Sequence, residues 1–141
     1  MLASVSSTVG ETVTCRVDTL GYDFLSINLN LTSTAASSNK PTVLKVSHGA
    51  TTTAASATDI TALVGGTATS STVGYVIPTA NTNTTVPSVI KFNVDLRGKY
   101  RYLFLTTSVA TTQTLTAWAE LSRGEQAGTA TLQGLMGLIA G

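Results

Sequence analysis

The stretch VIKFNVDLRGKYRYLFLTT, residues 89 to 107, decides the fold. Ile90, Phe92, Val94 and Leu96 alternate with Lys91, Asn93 and Asp95, the period-two signature of a half-buried strand. A second strand follows at once. Tyr100, Tyr102 and Phe104 share one of its faces, and Arg101, Leu103 and Leu105 share the other. Between the two runs Arg97 and Gly98 read as a tight structural turn. Gly98 supplies the positive φ that either a three-residue hairpin with a bulge or a type II turn needs. The local pattern therefore predicts a β-hairpin over residues 89–107. Each apolar side chain buried there contributes roughly 1.5–3 kcal/mol, enough to make this unit the centre of a core.

Outward from it the alternation continues. Residues 12–18 set Val13, Cys15 and Val17 against Thr12, Thr14, Arg16 and Asp18. Residues 22–32 set Leu25, Ile27, Leu29 and Leu31 against Ser26, Asn28, Asn30 and Thr32. A strand is expected over residues 42–48, and a last one over residues 113–122. In that last strand Leu115, Ala117, Ala119 and Leu121 form one face, which leaves Trp118 on the less buried side. Trp118 there suits either a subunit interface or a cover supplied by a loop of the same chain. Residues 1–10 read as an N-terminal arm or a frayed first strand. Residues 49–88 dissolve into Thr, Ala, Ser, Gly and Asn, too many for one structureless loop. Two islands break that segment: residues 58–64, where Asp59 is expected to cap a single helical turn carrying Ile60 and Leu63, and a short strand over residues 73–77 ended by Pro78. The rest is expected to form long excursions at one end of a sheet, where recognition surfaces are often built.

The chain has 141 residues and fits one domain, residues 1–141. Short strands, turns rich in Gly, Asn and Ser, and no long amphipathic helix indicate an all-β sandwich or barrel. An antiparallel, jelly-roll-like β-sandwich of about seven or eight strands is the first choice. Residues 125–141 form a C-terminal apolar tail. It carries Leu132, Leu135, Met136, Leu138 and Ile139 with no charge after Glu125. On a monomer such a tail is an exposed hydrophobic liability, so it either docks onto a partner or folds back over its own core.

Charged residues make up 11% of the chain, against about 25% in ordinary domains. A surface so poor in charge offers little repulsion against self-association. The formal net charge of +1 leaves no footprint for nucleic acid or an anionic membrane. Residues 1–10 have no basic and apolar signal-peptide regions, and no run of about 18 apolar residues occurs. A soluble, unprocessed chain is expected. The sequons at Asn30 and Asn83 then read as chance.

Chemistry is sparse. His48 is the single histidine and Cys15 the single cysteine, so neither a Ser-His-Asp set nor a zinc site is spelled out. A Cys15–His48 dyad is disfavoured because a thiol on an apolar face is held protonated. The seven acidic residues form no clustered pair for glycoside hydrolysis. No calcium loop or glycine-rich phosphate loop occurs. The expectation is no catalytic residue, no metal and no cofactor. Tyr22, Tyr75, Tyr100, Tyr102 and Trp118 could include a platform that stacks on a sugar face, though core or cross-strand packing is the commoner use of alternating tyrosines.

Three short marks resemble those of small structural proteins of tailed bacteriophages, the head decoration or capsid cement type. They are Gly21-Tyr22-Asp23-Phe24, then Asp95-Leu96-Arg97-Gly98 with Arg101-Tyr102-Leu103, then Leu121-Ser122-Arg123. The resemblance implies a β-sandwich that trimerises on the outer capsid surface of the virion and reinforces contacts of the major capsid protein. A second expectation is a tail-fibre or surface module that recognises a host glycan. The apolar tail lies outside the resemblance.

Overall fold

The computed structural model describes residues 2–7, 11–33, 41–63, 66–67, 70–76, 88–109 and 113–124. Ten strands occur among them: β1 (Leu2–Ser7), β2 (Thr12–Asp18), β3 (Tyr22–Ser33), β4 (Pro41–Gly49), β5 (Thr58–Asp59), β6 (Ala62–Leu63), β7 (Gly66–Thr67), β8 (Ser88–Asp95), β9 (Tyr102–Val109) and β10 (Gln113–Gly124). Eight of them build two four-stranded sheets, ordered β1-β10-β3-β8 and β2-β9-β4-β5, and β6 and β7 form a small ribbon. All strand pairs are antiparallel. First and last strands are neighbours in one sheet, second and next-to-last in the other. That wrapping is the double Greek key of a jelly roll.

The inward faces are those the alternation indicates. Leu25, Ile27, Leu29 and Leu31 of β3 meet Phe92 and Val94 of β8, Leu115 and Ala117 of β10, and Leu44, Val46, Leu103 and Leu105 from the other sheet. Val13, Cys15 and Val17 of β2 pack against this core but stay half-buried. Residues 2–7 are a paired strand, with Leu2 opposite Trp118 and Ser7 opposite Gln113. The frayed-strand reading of the N-terminus therefore holds over the arm for those residues.

The predicted hairpin over residues 89–107 is corrected. β8 pairs with β3, whereas β9 pairs with β2 and β4, so the two strands lie in opposite sheets. The turn itself is as expected. Lys99 N–H donates to the Leu96 carbonyl at 2.9 Å, and Gly98 has a φ of 75° at the third position, as a type II turn requires. It forms an arch from sheet to sheet because Leu96 is buried between them. The strand after it starts at Tyr102, two residues later than predicted. β9 is also buried on both faces. Leu103 and Leu105 point into the core, while Phe104 is covered from outside, with Gly49 and Ala57 against it.

Two further expectations are corrected between Gly49 and Val76. Asp59 caps no helical turn; it ends strand β5, and its carboxylate takes the Lys45 ammonium at 2.8 Å. Residues 70–74 form a turn with isolated bridges in place of a strand. This part of the chain lies along β4. Ile60 N–H donates to Val46, Leu44 N–H to Val73, and Tyr75 N–H to Leu44, at 2.8, 2.9 and 2.8 Å. Tyr75 and Ile60 then close one side of the sandwich. The Tyr75 hydroxyl donates to the Ile60 carbonyl at 2.8 Å, and its ring lies 5.4 Å from that of Phe92. So the described part of the excursion seals a sheet edge. Val64, Ile77 and Pro78 lie outside the described residues.

Candidate interaction surface at the arch end

Two arches cross between the sheets at the same end. Residues 19–21 carry β2 into β3, and residues 96–101 carry β8 into β9. They use one device. Tyr22 N–H donates to the Thr19 carbonyl at 3.1 Å, and Gly21, with a φ of 83°, takes the third turn position as Gly98 does in the other arch. The arches are clipped together. Thr19 donates to the Arg101 carbonyl through both its N–H (2.9 Å) and its hydroxyl (2.6 Å). Leu96 N–H donates to the Asp23 carbonyl at 2.8 Å.

This end gathers the scarce charges and aromatics. Arg101 forks onto Asp18 (Nε–Oδ1 2.8 Å, Nη2–Oδ2 2.6 Å), and its guanidinium lies 5.0 Å from the Tyr102 ring centroid. Arg16, which donates to the Thr52 carbonyl at 3.0 Å, lies 5.7 Å from the same ring. Arg97 forks onto Asp95 (Nε–Oδ1 3.0 Å, Nη2–Oδ2 2.6 Å) and sits 5.5 Å from the Phe24 ring centroid. The hydrogen bonds from Arg97 hold the Asp95 carboxyl down at about 2. Those from Arg101 likewise lower Asp18. At this end Arg16, Arg97, Lys99 and Arg101 outnumber Asp18, Asp23 and Asp95 by one charge. The arches also carry two exposed apolar side chains, Leu20 at 65% exposure and Tyr100 at 54%.

His48 sits under the second arch. Its Nδ1 accepts the Tyr100 N–H at 3.0 Å, and the two rings lie 5.2 Å apart. Partial burial, and then the nearby Lys99 charge, lowers its pKa from the ordinary 6.5. Cys15 faces Leu105 from one side of β9 and His48 faces Leu103 from the other. Two strand spacings, about 10 Å, and a two-residue stagger therefore separate thiol from imidazole. Burial raises the Cys15 pKa. Among the described residues no group of three or more His, Cys, Asp or Glu is placed to hold a metal ion.

The structure places the sequence-predicted site residues unevenly. Arg97 and Gly98 form the tip of an arch. Trp118 stands on the outer, polar face of its sheet, half-buried, opposite Asn28 and with its Nε1–H 3.3 Å from Glu120 Oε1. Leu132, Leu135, Met136, Leu138 and Ile139 lie outside the described residues. Tyr100, weighed in the sequence as a sugar-stacking ring, lies exposed on the second arch, whereas Leu20 and the Asp18–Arg101 pair carry no local signal, since 83 residues separate the two charges.

The three short marks, far apart in sequence, meet at this end. Phe24 lies between Asp95 of β8 and Ser122 of β10 in the sheet register. Compared with protein-family models, curated proteins and solved structures, the chain has no match.

Proposed function

We propose that this chain is a non-enzymatic structural protein of a virion, a capsid cement or decoration protein. It binds the outer surface of the major capsid protein lattice, as a homotrimer, and stabilises the assembled shell. One observation carries the reading. In a chain with few charges and few aromatics, both collect at the arch end, where Leu20 and Tyr100 are exposed on clipped arches that also carry the Asp18–Arg101 and Asp95–Arg97 ion pairs. Exposed apolar side chains beside Arg and Tyr are features of protein-binding patches. The meeting of the three phage-like marks at the same end adds support, and a ligand selective for the assembled lattice stabilises that state.

The test is the copy number of this chain per purified virion, by quantitative mass spectrometry against the major capsid protein. A number close to that of capsid subunits supports the reading, and Leu20→Ser with Tyr100→Ser should then weaken retention on shells without unfolding the chain. A handful of copies would move the chain to the tail or fibre and favour a glycan-binding module. None would end the virion reading.

A further inference from the structure

The two long sides of the sandwich are unlike. On one, Ile60 and Tyr75 close the gap between the sheets. On the other, between β2 and β10, a shallow apolar cleft opens to solvent, lined chiefly by Cys15, Val17, Ile27, Leu105, Ala117 and Ala119. β1 runs beside only the first half of β10, from Gln113 to Trp118, and the cleft opens where β1 ends. Val13, Cys15, Val17, Ala119 and Leu121 remain half-buried along this side. Among the described residues nothing covers this half-buried apolar row as Ile60 and Tyr75 cover the opposite side.

We infer that the chain's own C-terminal segment, residues 125–141, docks in this cleft and completes the core on the β2–β10 side. The lengths close. Leu132 lies eight residues beyond Gly124, and Trp118 lies six residues before it. At about 3.3 Å per residue the return along β10 needs about 20 Å and the spacer spans about 26 Å, which leaves about two residues for the turn. From Leu132 onward the segment offers Leu135, Met136, Leu138 and Ile139 and no charge, matching the cleft's apolar lining. Tethering at Gly124 gives the segment a local concentration in the millimolar range or above, which favours the chain's own tail over that of a second copy. The inference is independent of what the arch end binds.

The cleft carries its own reporter, because Cys15 is the only cysteine. In full-length protein, Leu135→Asp with Leu138→Asp should make Cys15 react about tenfold faster with a thiol reagent at fixed pH, as an opened site does. An unchanged rate would overturn the inference. Leu132→Cys, Leu135→Cys and Leu138→Cys, made singly in the full chain, supply a second readout that leaves the core intact. Mild oxidation should close an intramolecular disulfide to Cys15 in at least one of them, since the bond demands Cα atoms within about 7 Å. Disulfide-linked dimers alone, or Cys15 protection that grows with protein concentration, would assign the segment to a neighbouring copy and overturn it as well.

Discussion

Gly74 is where the long excursion is locked to β4, and Gly74→Ala tests that lock. A Cβ at this position would stand 2.2 Å from the Leu44 carbonyl oxygen and 2.9 Å from the Leu44 carbonyl carbon. Both are backbone atoms of a central core strand, so neither can swing aside. The φ of 78° adds a conformational cost, about 1–2 kcal/mol for a residue with a side chain. Relieving the clash means pushing the segment off β4, at about 1–3 kcal/mol for an overpacked site. That movement strains the Leu44–Val73 and Tyr75–Leu44 hydrogen bonds and the seat of Tyr75. Restricting the unfolded chain returns about 0.4–1 kcal/mol. The expected loss is about 3 kcal/mol, read in urea unfolding as a lower midpoint at unchanged slope. Gly21→Ala and Gly98→Ala are the controls. Both have positive φ but nothing within 4 Å of the added Cβ, so each should cost about 1 kcal/mol. Equal losses at all three glycines would refute the close-approach argument.

Thr107 places its hydroxyl in the core without a hydrogen-bond partner, so Thr107→Val should stabilise the fold by about 1 kcal/mol; a destabilised variant in the same unfolding assay would show that the hydroxyl is satisfied. His48 has a folded pKa below its ordinary 6.5, from burial and from Lys99. The folded state then binds fewer protons than the unfolded one, so this contribution is complete above about pH 6.5 and is lost as pH falls through the folded value. Unfolding curves between about pH 7.5 and about pH 5.5 should show that slope, and His48→Gln should flatten it. Asp95, held at about 2 by Arg97, should return toward the ordinary carboxyl value of 3.8 in Arg97→Gln, followed by its side-chain carbonyl resonance in an NMR titration. A titration unchanged by the substitution would mean the ion pair does not persist in solution.

Much of the fold is legible in the sequence because a sandwich writes its faces with period two. The inward sets of β3 and β10, the half-buried apolar face of β2 and the outward Trp118 all follow from alternation. Strand partnership does not. A short turn with glycine at its third position joins strands within one sheet or between two, and residues 89–107 carry no local mark of the difference. It is Leu96, buried between the layers, that turns a hairpin into an arch. Burial on both faces hid the role of Phe104, whose outer cover arrives from Gly49 and Ala57. Asp59 looked like a helix cap because its partner, Lys45, is on another strand. The candidate surface was legible only in pieces. Arg97 and Gly98 stood out as a turn, but Leu20 carries no pattern of its own, and only the arches bring it to the same end as Tyr100.

The strand order dictates when this protein can be assembled on the ribosome. β10 lies between β1 and β3, and β9 between β2 and β4, so β1 and β2 have no neighbour in either sheet until the last two strands are made, and β3 has none until β8. Little can be secured by sequential, strand-by-strand growth. The chain must stay uncommitted until residue 124 has cleared the exit tunnel, then close in one late, long-range event of the kind that folds slowly. A composition sparing in large apolar residues between the strands suits a chain that has to wait.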